Sequence, residues 1–258
     1  MTQRDYAKQF HSLHQRGTPL VLFNCWDAGS AKAVAASGAS AIATGSWSVA
    51  NAHGFDDAEQ LPLDLVLANL RRIVTSVSLP VTLDFESGYA REVAALQANI
   101  AAVIAAGAVG INFEDQIVGG SGMYAQDEQA ARIAAVRAAA DRQEFPLFIN
   151  ARTDVFLQAD PATHNEALLA QAIARSKAYA SAGASGFFAP GLRDLKLIAS
   201  LCEASPLPVN IMMAPGMGAI AELAVVGVAR VSYGPFPYRQ VMASLQEAAA
   251  AALRSAPR

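Results

Sequence analysis

The sequence predicts an α/β fold of the (β/α)8 TIM-type barrel class on three observations. Strand-like and helix-like segments alternate about every 30 residues, there are eight of each, and charged residues collect where strands end. The first pair is the apolar run 19–23 and a helix over 27–37, with Asp27 standing where an N-cap belongs and Gly38 stopping the helix. A short strand at 41–43 precedes a helix at 63–77, and a strand at 80–85 precedes an Ala-rich helix at 91–106 that stops before Gly107. Strands at 110–113 and 147–151 are followed by runs of good helix formers at 127–142 and 165–182, the second stopping before Gly183. The series closes with strand 186–189 and helix 193–203, strand 208–211 and helix 217–226 before Gly227, then strand 229–232 and helix 237–254. The joints Ser37-Gly38-Ala39, Ala106-Gly107-Ala108 and Ala182-Gly183-Ala184 mark helix-to-strand turns at the bottom of such a barrel. A doubly wound open sheet gives the same alternation and periodicity leaves it open; the count of eight favours the barrel.

At 258 residues, 53% hydrophobic and 16% charged, the chain buries a large core and is long for one domain unless that domain is a barrel. No Pro/Ser-rich linker or charge block divides it, so a single domain over residues 1–258 is expected. A net charge of −3 leaves no electrostatic footprint for nucleic acid or an anionic membrane, which points to a small-molecule ligand. Cys25 and Cys202 are too few for a disulfide framework, and the N-terminus lacks the apolar core of a signal peptide. A cytoplasmic protein is expected. The most apolar stretches are broken by glycines and fall short of the roughly 20 residues a membrane span needs.

The run from Pro80 to Tyr89 reads as an apolar strand ending in two carboxylates before a glycine turn. Strand side chains alternate faces, so Asp84 and Glu86 are expected to point one way and Leu83 and Phe85 the other. Two acids on one face invite a hard cation. Two later strands also end in charge, at Glu114-Asp115 and at Arg152-Thr153-Asp154. In a barrel, the chemistry sits at these C-terminal strand ends.

Read together, these strand ends carry a resemblance. The segments are Asn24-Cys25-Trp26-Asp27-Ala28, Gly45-Ser46-Trp47-Ser48-Val49-Ala50, Asp56-Asp57, Asp84 to Tyr89, Asn112-Phe113-Glu114-Asp115, Asn150 to Asp154 and Pro208-Val209-Asn210. In that order and spacing the chain resembles the isocitrate lyase/phosphoenolpyruvate mutase superfamily from about Asn24 to Pro235. The resemblance implies a bound Mg2+, with Mn2+ as a substitute, and a 2-oxo acid or its enolate as ligand. Asp84 takes the place of the acid that contacts the metal directly. Glu86, Glu114 and Asp57 take the other acidic positions, mostly holding metal-bound waters, as suits an ion that keeps part of its hydration shell. Glu86 stands where many characterised members have Asp. The resemblance also has the backbone N–H groups of Gly45, Ser46 and Trp47 and the Ser46 hydroxyl grip the substrate carboxylate. Arg152 supplies the balancing cation in a bidentate fork, with an ion pair to Glu114 or Asp154 as the alternative. Arg152, Ser46 and Glu114 are therefore the catalytic candidates. Asn210 either bonds the substrate or is structural. Asp27 reads better as a helix cap than as a ligand, and Cys25 better as a buried filler than as a nucleophile.

The departures from the superfamily lie in the segment from Asp115 to Tyr124. Isocitrate and methylisocitrate lyases carry a Lys-Lys/Arg-Cys-Gly-His run there, and the phosphonate-forming mutases carry Lys and Asn; this chain has neither. Ala189-Pro190-Gly191 also stands where the tricarboxylate lyases place a Glu. Glycines at 119, 120 and 122 suit a lid over a smaller ligand. The expected activity is Mg-dependent carbon–carbon cleavage of a small 2-oxo acid through a metal-stabilised enolate, with oxaloacetate the simplest candidate. Carbon–phosphorus cleavage or mutase chemistry on phosphonopyruvate, and a non-catalytic 2-oxo acid binding protein, stay open beside it. The resemblance further implies a homo-oligomer, dimer or tetramer, in which neighbours exchange the last barrel helix. Pro235 and Pro237 make a stiff exit for that helix.

Overall fold

The computed structural model describes residues 1–255, and the last three residues of the expected domain lie outside the described residues. Helix α1 (Gln3–Ser12) comes first, closed by a capping box in which the Thr2 hydroxyl accepts from the Asp5 N–H and the Asp5 carboxylate accepts from the Thr2 N–H. The barrel elements follow as β1 (Leu20–Leu22), α2 (Ala28–Ala36), β2 (Ile42–Ala43), α3 (Ser46–Ala52), α4 (Leu63–Ser76), β3 (Val81–Asp84), α5 (Val93–Ala105) and β4 (Gly110–Glu114). The second half holds α6 (Gln126–Arg142), β5 (Phe148–Arg152), α7 (Glu166–Ser181), β6 (Gly186–Phe188), α8 (Leu195–Ala204), β7 (Val209–Met212), α9 (Ile220–Val225), β8 (Arg230–Ser232) and α10 (Phe236–Arg254).

All strand pairs are parallel, in the order β1-β8-β7-β6-β5-β4-β3-β2, and a parallel bridge between Cys25 and Thr44 closes the ring between β1 and β2. This is the predicted (β/α)8 barrel. Outward-facing Leu83, Phe85, Ile111, Phe113, Ile149 and Phe187 are buried beneath the surrounding helices. The inner positions are more polar: Asn112, Asn150, Asn210 and Arg230 are all buried within the ring. Helix α1 plugs the bottom, where Phe10 meets Phe148 edge-on at 5.3 Å and His14 stacks on the same ring at 3.9 Å. Among the described residues no helix is long and apolar enough to cross a membrane.

Asp27 caps α2 as expected, its carboxylate accepting the Ser30 N–H at 2.7 Å. Two local expectations give way. The segment after β2, where no helix was expected before residue 63, opens a short helix, α3, with Gly45 in extended conformation as its cap. Strand β3 ends at Asp84, and Glu86 follows with φ of 49°, so strand alternation does not set its direction.

Helix α10 does not lie against its own barrel. Its first turn is anchored by Tyr238, edge-on to Trp26 and Trp47, and by Arg239, stacked 4.4 Å over the Trp47 ring. Beyond that only Pro237 is buried, while Val241, Met242, Leu245 and Leu253 are exposed.

Candidate active site

The acids at the strand ends converge on the C-terminal mouth of the barrel. Asp84 is oriented on both oxygens: Oδ1 accepts from Asn112 Nδ2 at 3.1 Å and Oδ2 from the Ser46 N–H at 2.9 Å. Its own N–H donates to the Thr44 hydroxyl, which ties the end of β3 to that of β2. Each carboxylate oxygen keeps a free lone pair. Asp57, on the loop after α3, lies near the Ser46 hydroxyl; partial loss of water and then the Asp84 charge raise its carboxyl above the usual range.

Arg152 sits at the end of β5 between two carboxylates. Nη1 meets Glu114 at 2.7 Å, while Nε and Nη2 hold Asp154 in a two-point contact at 2.6 and 3.0 Å. Both ion pairs anticipated as alternatives for Arg152 are present at once. Burial alone lowers its guanidinium, but Glu114 and Asp154 hold it cationic well above the ordinary value. Burial raises the Glu114 carboxyl, Arg152 opposes that, and Asp154, Asp84 and Glu86 push the same way as burial.

Glu86 belongs to a clasp between two loops. Its Oε2 accepts the Glu59 N–H at 2.7 Å and its Oε1 the Tyr89 hydroxyl at 2.9 Å, while Glu59 Oε1 accepts the Tyr89 N–H at 2.8 Å. Ala58, Glu59, Glu86 and Tyr89 all have positive φ, so the clasp holds four non-glycine residues in a strained region. Burial first, and then Asp57, push the Glu86 carboxyl up to about 8. Glu59 carries no signal at a strand end, and Tyr89 enters the sequence analysis only as the last residue of the Asp84-to-Tyr89 segment.

The backbone donors expected to grip a carboxylate are partly used within the fold. The Gly45 N–H donates to the Cys25 carbonyl at 3.2 Å and the Ser46 N–H to Asp84. The Trp47 ring faces α10 rather than the mouth. Asn210 lies deeper, with Oδ1 accepting from the Ser232 hydroxyl at 3.3 Å and a buried Nδ2 that has no partner. Cys25 is fully buried and its thiol is pushed up to about 12, first by burial, as a filler would be.

The glycine-rich loop after β4 has a rigid base. Buried Asp115 accepts from Arg175 at 3.0 Å and from the Tyr179 hydroxyl at 2.9 Å, and Arg175 also holds the Tyr124 carbonyl. Arg132 stacks 4.4 Å over the Tyr124 ring and donates to the Ser87 and Ala90 carbonyls. The Ser87 hydroxyl in turn reaches the Gln116 carbonyl. Residues 119–122, between these anchors, are exposed.

Among the described residues no three carboxylates, imidazoles or thiols form a ready-made metal cage. The donor set still fits Mg2+, which binds through one or two carboxylates and keeps several waters. Asp57, Glu86 and Glu114 raise or feel one another's charge and that of Asp84, an excess of negative charge that a divalent cation relieves.

The phosphoenolpyruvate phosphomutase family matches residues 10–253. The chain belongs to that family. A Burkholderia cenocepacia J2315 structure provisionally named a phosphonomutase is 52% identical, with a TM-score of 0.93, covering 95% of this chain and 98% of that one. An uncharacterized Mycobacterium tuberculosis protein is 36% identical over 230 residues, 89% of this chain and 83% of its own length. The 2-methylisocitrate lyase of Escherichia coli K12 is 29% identical over 218 residues, 81% of this chain and 70% of the lyase. The family's lyases and mutases make this family member an enzyme by descent.

Proposed function

We propose that this family member cleaves a carbon–carbon bond of a small 2-oxo acid, with oxaloacetate the simplest candidate, in a Mg2+- or Mn2+-dependent reaction that passes through an enolate. The observation that carries it is the mouth itself: Asp57, Asp84, Glu86 and Glu114 lie near enough to feel one another's charge, Glu114 pairs with Arg152, and residues 116–124 contain no Lys, Arg, His or Cys. Asp84 would hold the metal, with Glu86, Glu114 and Asp57 as the acids around it. Bound there, the metal would supply a Lewis acid toward the 2-oxo group. Arg152, 16% exposed, supplies the cation that faces the substrate carboxylate, and Glu114 and Asp154 fix its plane. The Ser46 hydroxyl and the Trp47 N–H at the start of α3 bind the same carboxylate, and Asn210 offers its unpartnered Nδ2 from below.

Carbon–phosphorus cleavage or mutase chemistry on phosphonopyruvate is the second reading, favoured by the name of the 52%-identical Burkholderia relative. Coupled pyruvate detection over a panel of 2-oxo acids and phosphonates, with and without Mg2+, separates the two. Turnover of oxaloacetate that needs metal and vanishes in Asp84→Ala supports the first. Turnover of phosphonopyruvate alone replaces it, activity surviving exhaustive chelation removes the metal assignment, and tight binding without turnover leaves a 2-oxo acid binding protein.

The protein assembles as a homo-oligomer, a dimer or tetramer, by exchange of α10. A groove of about 810 Å³ runs beside β1, lined by Leu13, Pro19, Val21, Phe23, Val34 and Ala39, and Val21 and Phe23 are exposed there. In a closed barrel the last helix covers that flank. The apolar face of α10 has no partner among the described residues and matches that groove in chemistry. Light scattering that finds a monomer at micromolar concentration rules the exchange out.

A further inference from the structure

Among the described residues Arg230 heads the large side chains that are wholly buried. It lies on β8, four strands away from β4 in the sheet order, so the two strands face each other across the barrel. Its Nη2 spans that interior to donate to Asn112 Oδ1 at 3.0 Å. The same oxygen accepts Asn150 Nδ2 at 2.9 Å. With both lone pairs of Oδ1 occupied, the Asn112 amide has one orientation, and it turns Nδ2 toward Asp84 Oδ1. Room for this relay comes from Gly186, where a Cβ would stand 2.8 Å from Asn150 Oδ1.

The rest of Arg230 is poorly provided for. Nε and Nη1 have no hydrogen-bond partner, and none of the ion pairs among the described residues includes it. A buried cation in that state is costly, and a Met or Leu would fill the volume at lower cost. What an apolar residue cannot supply is direction to Asn112.

We propose that Arg230 is a positioning residue for the candidate metal site, acting through Asn112 to fix how Asp84 presents its carboxylate to a divalent cation. This rests on the assignment of Asp84 as the acid that contacts the metal. Charge alone predicts the opposite sign, because a buried cation near the site repels Mn2+ and its removal tightens binding. A volume-filling role predicts no change. Weaker binding on removal is therefore peculiar to positioning.

The test is Mn2+ titration of the full-length, metal-free protein, read as free Mn2+ by electron paramagnetic resonance, with urea unfolding alongside. Arg230→Met weakens Mn2+ about tenfold or more, while Arg230→Lys, which restores a donor, stays within about threefold of the unaltered protein. Asn112→Ala, which cuts the relay and leaves Arg230 in place, weakens Mn2+ at least as much as Arg230→Met. The urea midpoint of Arg230→Met is no lower than that of the unaltered protein. Binding by Arg230→Met that is unchanged or tighter overturns the proposal; should that variant not fold, unchanged binding by Asn112→Ala overturns it. Unaltered protein that binds no Mn2+ overturns the metal assignment and this proposal with it, whereas normal binding there and in the variants overturns this proposal alone.

Discussion

Arg152 and Arg230 both stand on the inner face of the barrel and are opposite in circumstance, Arg152 partly exposed at the mouth and Arg230 wholly buried. Arg152 uses Nε, Nη1 and Nη2 on two carboxylates, and those contacts keep it charged. Arg230 makes a single hydrogen bond to a neutral amide, and burial lowers its guanidinium to about 9. A matched buried charge is one whose removal strands its partners; an unmatched one strands nothing when it leaves. The mouth is thus held together by its charges, and the buried interior carries one at a cost to stability.

The largest expected effect breaks the matched pair. Arg152→Met leaves Glu114 and Asp154 buried without a cation and lowers stability by about 3–5 kcal/mol in urea unfolding at pH 7. The loss shrinks as pH falls and the stranded Glu114 carboxyl, raised by burial, takes up a proton. An Arg152→Met protein that unfolds like the unaltered one would erase the contrast with Arg230.

The next effect concerns Glu86, whose carboxyl sits at about 8 in the folded protein against an ordinary 4.5. Folding favours its protonated form, so the stability it contributes is whole below pH 4.5 and is lost as pH rises to 8. Gln does not ionise. Metal-free Glu86→Gln is therefore expected to match the unaltered protein near pH 4 and to exceed it above pH 8 by on the order of 2–4 kcal/mol. Parallel stability–pH curves would show that Glu86 is charged throughout.

A smaller effect separates the fork of Arg152 from its charge. Oxalate, a planar dianion like the pyruvate enolate, is expected to inhibit competitively, and Arg152→Lys weakens it by about 1–3 kcal/mol, because Lys cannot hold Glu114 and Asp154 and still direct an N–H donor to the ligand. Calorimetry with Mg2+ present reads this directly, and equal oxalate affinity in the two proteins would place the carboxylate elsewhere. The smallest effect calibrates the rest: Asp27→Ala removes a cap outside the acid cluster and costs about 1 kcal/mol. A loss several times larger in thermal unfolding would show that Asp27 also serves the mouth.

Much of the site was legible because barrel chemistry gathers at strand ends and strand ends can be read from apolar runs. Asp84, Glu114 and Arg152 stand at the ends of β3, β4 and β5. The path of the chain past a strand end was less legible. Alternation carried through Phe85 to Glu86 assumes extended backbone, and the left-handed turn at Glu86 removes that assumption. Helix α1 left a short signal that the count of strands and helices does not use, Thr2 and Asp5 at cap spacing before Tyr6, Phe10 and Leu13 on one helical face. Arg230 did leave a signal, an arginine at an inward position of the apolar strand 229–232.

The sequence by itself determined the alternation of eight strands with helices and the acids at the strand ends, because hydrophobic periodicity, glycine stops and strand-end charge act over a few neighbouring residues. Only the tertiary structure decided which of those charges are matched. Glu86 with Glu59 and Tyr89, Asp115 with Arg175, and Arg230 with Asn112 are separated by up to 118 positions in the chain. A hydrogen bond is fixed by distances of a few tenths of an ångström between side chains on different strands, and those distances exist only once the ring has closed.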